Sequence, residues 1–321
     1  MLVALVVIVL STQHSALSTV FREEGGLEVL SLLIGSLTLR PYVFFFLAVY
    51  LLVSCMHLGY LRTAILFILA WGIAFLSEFS STRNGFPYGY YEYLDSTREV
   101  ELWLSNVPFF DSLSYTFIAY AAYSTALLAY APILRRGTDL QLVETHGVRQ
   151  SLPVAVLTVV FFVCLDIVVD PVALRGSRWF LGQIFWYPEG GLYFGVPLSN
   201  FGGWAIVGAA IILLYQTIDR LLVRRGWSSN AGVRYVPAKA LWGPTLYYLL
   251  LLFNLAVTFL IDEPLLGWVG VFIFTPITAM LLMLLFKPVN QATAEELVAH
   301  LRDFPGSPLT QWPGARGIRT P

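Results

Sequence analysis

Seven stretches of this chain stay apolar for roughly 17 to 25 residues at a time, the length a helix needs to cross the hydrocarbon layer of a bilayer. They run from Tyr42 to Tyr60, Thr63 to Phe79, Pro108 to Leu134, Ser151 to Asp170, Phe201 to Val223, Ala240 to Ile261 and Leu265 to Phe286. In hydrocarbon every backbone N–H and C=O must find its partner within the chain, so such runs fold as helices packed on one another. Composition agrees: 57% of residues are hydrophobic and 12% charged, with a mean hydropathy of +0.72, far from the balance of soluble domains. The expected fold is all-α, a polytopic transmembrane helix bundle of about 7–8 spans. Residues 42–286 form its transmembrane helical domain. Residues 1–41 are an N-terminal membrane-associated segment, and 287–321 a cytoplasmic tail, a short amphipathic piece followed by disorder.

The N-terminal material admits several readings. Leu2 to Leu10 is apolar, but Gln13 and His14 interrupt it and Arg22-Glu23-Glu24-Gly25-Gly26 closes it, so it reads as a poor signal peptide, a tilted short helix or a truncated span. Leu27 to Leu39 stops at Arg40-Pro41, too short to span unless it re-enters or joins its neighbour.

Orientation follows from Lys and Arg, because short positively charged loops stay in the cytoplasm. Of 19 such residues, six (Arg22, Arg40, Arg83, Arg98, Arg175 and Arg178) fall on one side of the seven runs and thirteen on the other. The chain is expected to be a multi-pass protein of the cell membrane with its C-terminus cytoplasmic. A net charge of -1 argues against nucleic acid as a partner. Cys55 and Cys164 lie inside apolar runs without a His or Cys at ligand spacing, and His14, His57, His146 and His300 are scattered, so neither a disulfide framework nor a metal site is expected.

Against that background the acids stand out. Asp166 and Asp170 are four residues apart and so share one helix face, one turn apart in depth. Glu78 ends the second run and Asp111 begins the third, all four on the low-charge side. An ionisable group within or beside a membrane helix is costly and needs a partner, a wet cavity or a proton, so these four are candidate catalytic residues. The plainer alternative makes Asp170 a cap and Asp166 a satisfied core acid, and for Asp262 and Glu263 an ordinary helix end is the better reading. Two glycine, proline and aromatic loops lie on the same side, Gly85-Phe86-Pro87-Tyr88-Gly89-Tyr90-Tyr91-Glu92-Tyr93 and Gly190-Gly191-Leu192-Tyr193-Phe194-Gly195-Val196-Pro197. They read either as an aromatic belt at the membrane interface or as the lid and wall of one cavity.

These loops, with Glu78, Val107-Pro108, Asp166-Ile167-Val168-Val169-Asp170-Pro171-Val172 and Gly195-Val196-Pro197-Leu198-Ser199-Asn200-Phe201-Gly202-Gly203-Trp204, resemble the CruF-type carotenoid biosynthesis proteins. The resemblance covers about Trp71 to Val223; Tyr88 stands where that family more usually has Phe. It implies an integral-membrane hydratase that adds water to the terminal double bond of an acyclic carotenoid end group, with residues 42–286 as the catalytic domain. Such a reaction needs no redox cofactor, and none is expected. Its partners are the carotenoid, water and membrane lipid, with other enzymes of the same pathway as candidate neighbours. Tyr88, Tyr91, Tyr93, Tyr193, Phe194, Asn200 and Trp204 are the candidate substrate-binding residues. Asp166, the deeper acid, follows five apolar residues, so burial favours its protonated form and makes it the expected proton donor or its immediate relay. Asp170 would orient water, with Glu78 and Asp111 facing it.

Rival classes fit less well. A membrane prenyl-transferring enzyme holds magnesium and a diphosphate between two acid-rich clusters, and only Asp166/Asp170 qualifies. A transporter spreads ionisable groups through the bundle and often shows repeats, whereas these acids gather at one edge. A non-catalytic pigment-binding protein would explain the aromatics but not the acids.

Overall fold

The computed structural model describes residues 28–180, 182–227, 235–286 and 290–312. The Leu2 to Leu10 stretch, Arg22, Arg234, Lys287 and residues 313–321 lie outside the described residues. The half-length run is a separate helix, α1 (Glu28–Leu39), followed by α2 (Pro41–Leu58). Pro41 is tolerated there because the first N–H groups of a helix have no partner within it. Gly59 alone separates α2 from α3 (Tyr60–Asn84).

The chain then forms β1 (Glu92–Tyr93), a hairpin of β2 (Trp103–Leu104) and β3 (Val107–Pro108), and α4 (Phe109–Tyr130). A second hairpin, β4 (Ile133–Arg136) and β5 (Asp139–Leu142), leads to the one-turn α5 (His146–Arg149) and to α6 (Leu152–Ala173). β6 (Phe185–Trp186) returns to pair with β1, and α7 (Leu198–Arg224), α8 (Trp242–Leu260), α9 (Pro264–Phe286) and α10 (Ala294–Asp303) follow.

Six helices, α2, α3, α6, α7, α8 and α9, are long and apolar enough to cross a membrane, so the chain is an all-α, multi-pass membrane protein. The seventh expected span, α4, is long enough but more polar. It packs against α2, α3, α6 and α8, and almost every side chain from Phe110 to Leu128 is buried. Its surroundings are protein, so Ser112, Thr116, Ser124 and Thr125 cost little there. The last three return their hydroxyls to carbonyls of their own helix at 2.7 to 3.1 Å.

Side-chain pairs at the helix ends show that the long helices alternate in direction. At one end Arg40, before α2, pairs with Asp111 at the start of α4, and Glu78, late in α3, meets Ser112. At the other end His57, late in α2, lies 2.7 Å from Glu144, and Arg62, early in α3, lies 2.6 Å from Asp219, late in α7. The loops after α3, α6 and α8 therefore share one end. The β4–β5 hairpin, α5 and α10 share the opposite end.

Several boundaries differ from the sequence reading. The Pro108 to Leu134 run is not all helix, because Ile133 and Leu134 leave it for β4. α6 does not stop at Pro171 but runs on to Ala173; a proline one turn from a helix end forfeits a single backbone bond. The described part of the tail, residues 290–312, stays folded beyond its amphipathic helix. α10 carries a capping box, Thr293 with Glu296, and Leu297, Leu301, Leu309 and Trp312 close over Val143.

Candidate active site

At the Arg40 and Glu78 end the bundle encloses a cavity of about 130 Å³. α6 contributes Asp170 to its wall, α7 Asn200 and Trp204, α3 Glu78, and α4 Asp111 and Tyr115. The first turn of α7 starts at Leu198, which aims the Asn200 amide across the α6 interface. One Nδ2 group donates to Asp166 Oδ2 at 2.9 Å and to Asp170 Oδ2 at 2.7 Å. Asp166 is completely buried and is not part of the cavity wall; Asp170 is 8% exposed and is. The Tyr187 hydroxyl approaches Asp170 Oδ2 from the cavity side at 3.5 Å. Glu78 accepts from the Ser112 hydroxyl.

The 85–93 loop forms the roof. Gly85 ends α3, its N–H donating to Ser81 O at 3.0 Å, and the Ser81 hydroxyl accepts from Tyr88 N at 3.0 Å. Ser199 Oγ donates to Tyr88 O at 3.2 Å, tying the loop to α7. The loop lies so close to α7 that a Cβ on Gly203 would stand 2.6 Å from the Tyr88 ring and 2.7 Å from Pro87 O. Tyr88, Tyr91 and Tyr93 all line the cavity. Burial pushes these three phenols and Tyr187 well above the usual tyrosine range, so they stay neutral hydroxyls. Below them Tyr115 and Trp204 are stacked, with ring centroids 4.5 Å apart and planes 14° from parallel.

Tyr193 and Phe194 are not cavity residues. Tyr193 packs on Phe194 and Phe201, with ring centroids 5.0 and 5.5 Å away, and Phe194 joins an apolar cluster with Val172, Val257 and Leu266. The second wall of the cavity is instead the stretch just before them. There Phe185 pairs in register with Tyr93, and Ile184, Phe185 and Tyr187 face inward. Asp262 and Glu263 also stand apart from the cavity. Glu263 is clamped by Arg175, at 2.9 Å, and by Arg178; the Arg175 hydrogen bond first, then the charges of both arginines, hold its carboxyl below the usual range.

Sequence reasoning missed Arg40, Glu101, Ser112, Tyr115, Tyr187 and Asn254. A lone arginine at the edge of an apolar run and hydroxyls on a helix carry no pattern that marks them. Among the described residues no group of three or more His, Cys, Asp or Glu side chains is placed to hold a metal ion. The acids meet an amide, a serine and a guanidinium instead.

The fold and this site define a class: a multi-pass helical membrane protein with a small, aromatic, acid-walled cavity near one end of the bundle. The chain belongs to the family described as carotenoid biosynthesis protein, whose model matches residues 38–286, from just before Arg40 to the last residue of α9. No curated protein and no solved structure matches it.

Proposed function

We propose that the chain is a hydro-lyase that adds water across the terminal C=C of an acyclic carotenoid end group, giving a tertiary alcohol. One observation carries the reading. Asp170, backed by Asp166 and Asn200, opens onto the same cavity as Glu78, Asp111 and the stacked rings of Tyr115 and Trp204, in a chain of the carotenoid biosynthesis family. The cavity has room for several water-sized groups beside these acids.

Two carboxyl groups drawn onto one amide, with no ion pair to either among the described residues, accommodate a shared proton far better than two charges. Asp170, which faces the cavity, delivers that proton, and Asp166 behind it replenishes the supply. Depth along α6 favours Asp166 as the donor; cavity contact shifts the delivery to Asp170 and leaves Asp166 the relay.

The proton goes to the less substituted alkene carbon, whose π pair becomes the new C–H bond, and a cation is left on the tertiary carbon. Water adds there through an oxygen lone pair and passes its extra proton to a carboxylate. The sum is alkene plus water to alcohol, with no net oxidation. A positioned acid contributes about 10² to 10⁴ in rate, and each ring face stabilises a nearby cation by roughly 0.5 to 2 kcal/mol.

On the distribution of Lys and Arg we place the cavity end on the non-cytoplasmic side and the C-terminus in the cytoplasm. A reporter fused at residue 321 and found outside the cell overturns that orientation. The activity is tested by expressing the chain in a host that accumulates an acyclic carotenoid. The expected pigment is heavier by one water, and unchanged pigments overturn the proposal.

A further inference from the structure

The acids of the cavity are not equivalent, and the difference lies in a residue outside the cavity wall. Arg40 occupies the joint between α1 and α2 and is 1% exposed. Its Nε lies 2.7 Å from Glu101 Oε2 and its Nη2 donates to Glu101 Oε1 at 2.8 Å, while Nη1 donates to Asp111 Oδ1. Glu101 is fully buried and also accepts from the Thr97 hydroxyl. Asp111 is 19% exposed at its side chain and lines the cavity. Among the described residues neither Asp166, Asp170 nor Glu78 forms an ion pair.

The scaffold around this cation is built to hold it. α1 is too short to span, and its packing shows what it does instead. Ser36 Oγ accepts from Leu102 N at 3.1 Å. A Cβ on Gly35 would stand 1.9 Å from Val100 O, so only glycine lets α1 lie this close to the Glu101 segment. Phe109 N donates to Leu102 O at 2.9 Å, and the β2–β3 hairpin connects Glu101 to Asp111. Glu101 holds the guanidinium by the Nη2 hydrogen bond and by its close ion-pair approach to Nε, and the remaining nitrogen, Nη1, donates to the cavity acid.

We propose that Arg40, steadied by Glu101, is a positioning residue that presents Asp111 to the cavity as an anion. Asp111 is the carboxylate that takes the proton of the attacking water. The site is thus divided into a proton-giving pair on α6 and a proton-accepting group on α4, the separation of environments that lets two carboxyls play opposite roles. This rests on the hydratase reading.

The test compares membranes carrying the full chain with Asp111→Asn, Arg40→Gln, Arg40→Lys and the double variant Arg40→Gln/Asp111→Asn, measuring kcat and KM for hydration of an acyclic carotenoid. Asp111→Asn should lower kcat by about 10² with KM nearly unchanged. Arg40→Gln should lower kcat in the same way, and the double variant should be no worse than Asp111→Asn alone, because Arg40 acts through Asp111. Arg40→Lys keeps the charge without the fork and should fall between wild type and Asp111→Asn. If Arg40→Gln does not accumulate in the membrane, the Arg40→Lys result decides. Losses that multiply in the double variant, or an Arg40→Lys enzyme impaired only in KM, overturn the inference while leaving the hydratase reading intact. If wild-type membranes hydrate nothing, the hydratase reading falls and the base role of Asp111 falls with it.

Discussion

Asn200 donates to Asp170 across the α6–α7 interface at 2.7 Å, and this bond turns an isolated membrane acid into part of a site. The same amide reaches Asp166 at 2.9 Å, so a single side chain sets the spacing of both carboxyls. Replacing Asn200 by Leu removes the donor and leaves two buried carboxyls without it. A buried polar group stripped of its partner costs about 1–3 kcal/mol. Asn200→Leu is expected to lower thermal stability and to cut hydration by about 10² or more, read as hydrated pigment per unit of protein in the membrane. Undiminished hydration would show that the amide does not set up the donor.

Gly203 carries the roof loop. A side chain there meets the Tyr88 ring and the Pro87 carbonyl before it meets open space. Overpacking of this kind costs roughly 1–3 kcal/mol. Gly203→Val should therefore lower Tm and activity together, while Gly202→Val, at a position with nothing within 4 Å of the added Cβ, should leave the roof in place. Equal effects of the two substitutions would contradict the close approach.

The far end of the bundle should respond to acid. His300 of α10 has Nδ1 2.5 Å from Glu144 O and Nε2 2.7 Å from Ser307 Oγ, and burial lowers its pKa from 6.5 to about 4. Released from the bundle, His300 takes up a proton near its ordinary value, and docked it does so only near 4. The docked state is therefore fully favoured above about pH 6.5 and loses about 1.4 kcal/mol per unit as pH falls toward 4. Burial opposes the charge on Glu144, but Arg149 and His57 override it and hold this carboxyl well below its usual range. Glu144 thus keeps its charge through the same window, and the slope comes from His300 together with His146, whose ring lies 4.7 Å from that of Phe304 and whose pKa burial also lowers. Protection of residues 294–312 from hydrogen exchange, taken relative to the intrinsic exchange rate at each pH, should fall between pH 7 and 5 in the wild type and less steeply in His300→Gln. Flat protection across that range would contradict the assignment.

What was legible in the sequence was whatever is conspicuous against an apolar background. Glu78, Asp111, Asp166 and Asp170 could be picked out because a carboxyl in a membrane helix is expensive wherever it points, and four of them converge on one end. The roof tyrosines and Asn200 came with the loops that carry them. Arg40 was counted only as a charge on one side, because nothing in Arg40-Pro41 reveals that a buried Glu101 lies sixty-one residues on to receive it. Tyr193 and Phe194 look like Tyr91 and Tyr93 in composition. Whether such a ring faces a cavity or a neighbouring helix is decided by the backbone pairing of β1 with β6, which lies a few residues earlier. α4 reads as a seventh apolar run in the sequence yet is more polar than the six long helices, because a helix surrounded by protein is released from the need to be apolar on every face.

The central claim, addition of water to an alkene by protonation at carbon, is tested most directly by running the reaction with wild-type membranes in deuterium oxide and, in parallel, in water labelled with heavy oxygen. Protonation at carbon from an acid in exchange with solvent predicts one deuterium bound to the carbon beside the new tertiary alcohol, and a hydroxyl oxygen derived from water. The label at carbon should disappear together with the product in Asp170→Asn. A hydroxylated product with no carbon-bound deuterium, or one whose oxygen does not come from water, would contradict the account.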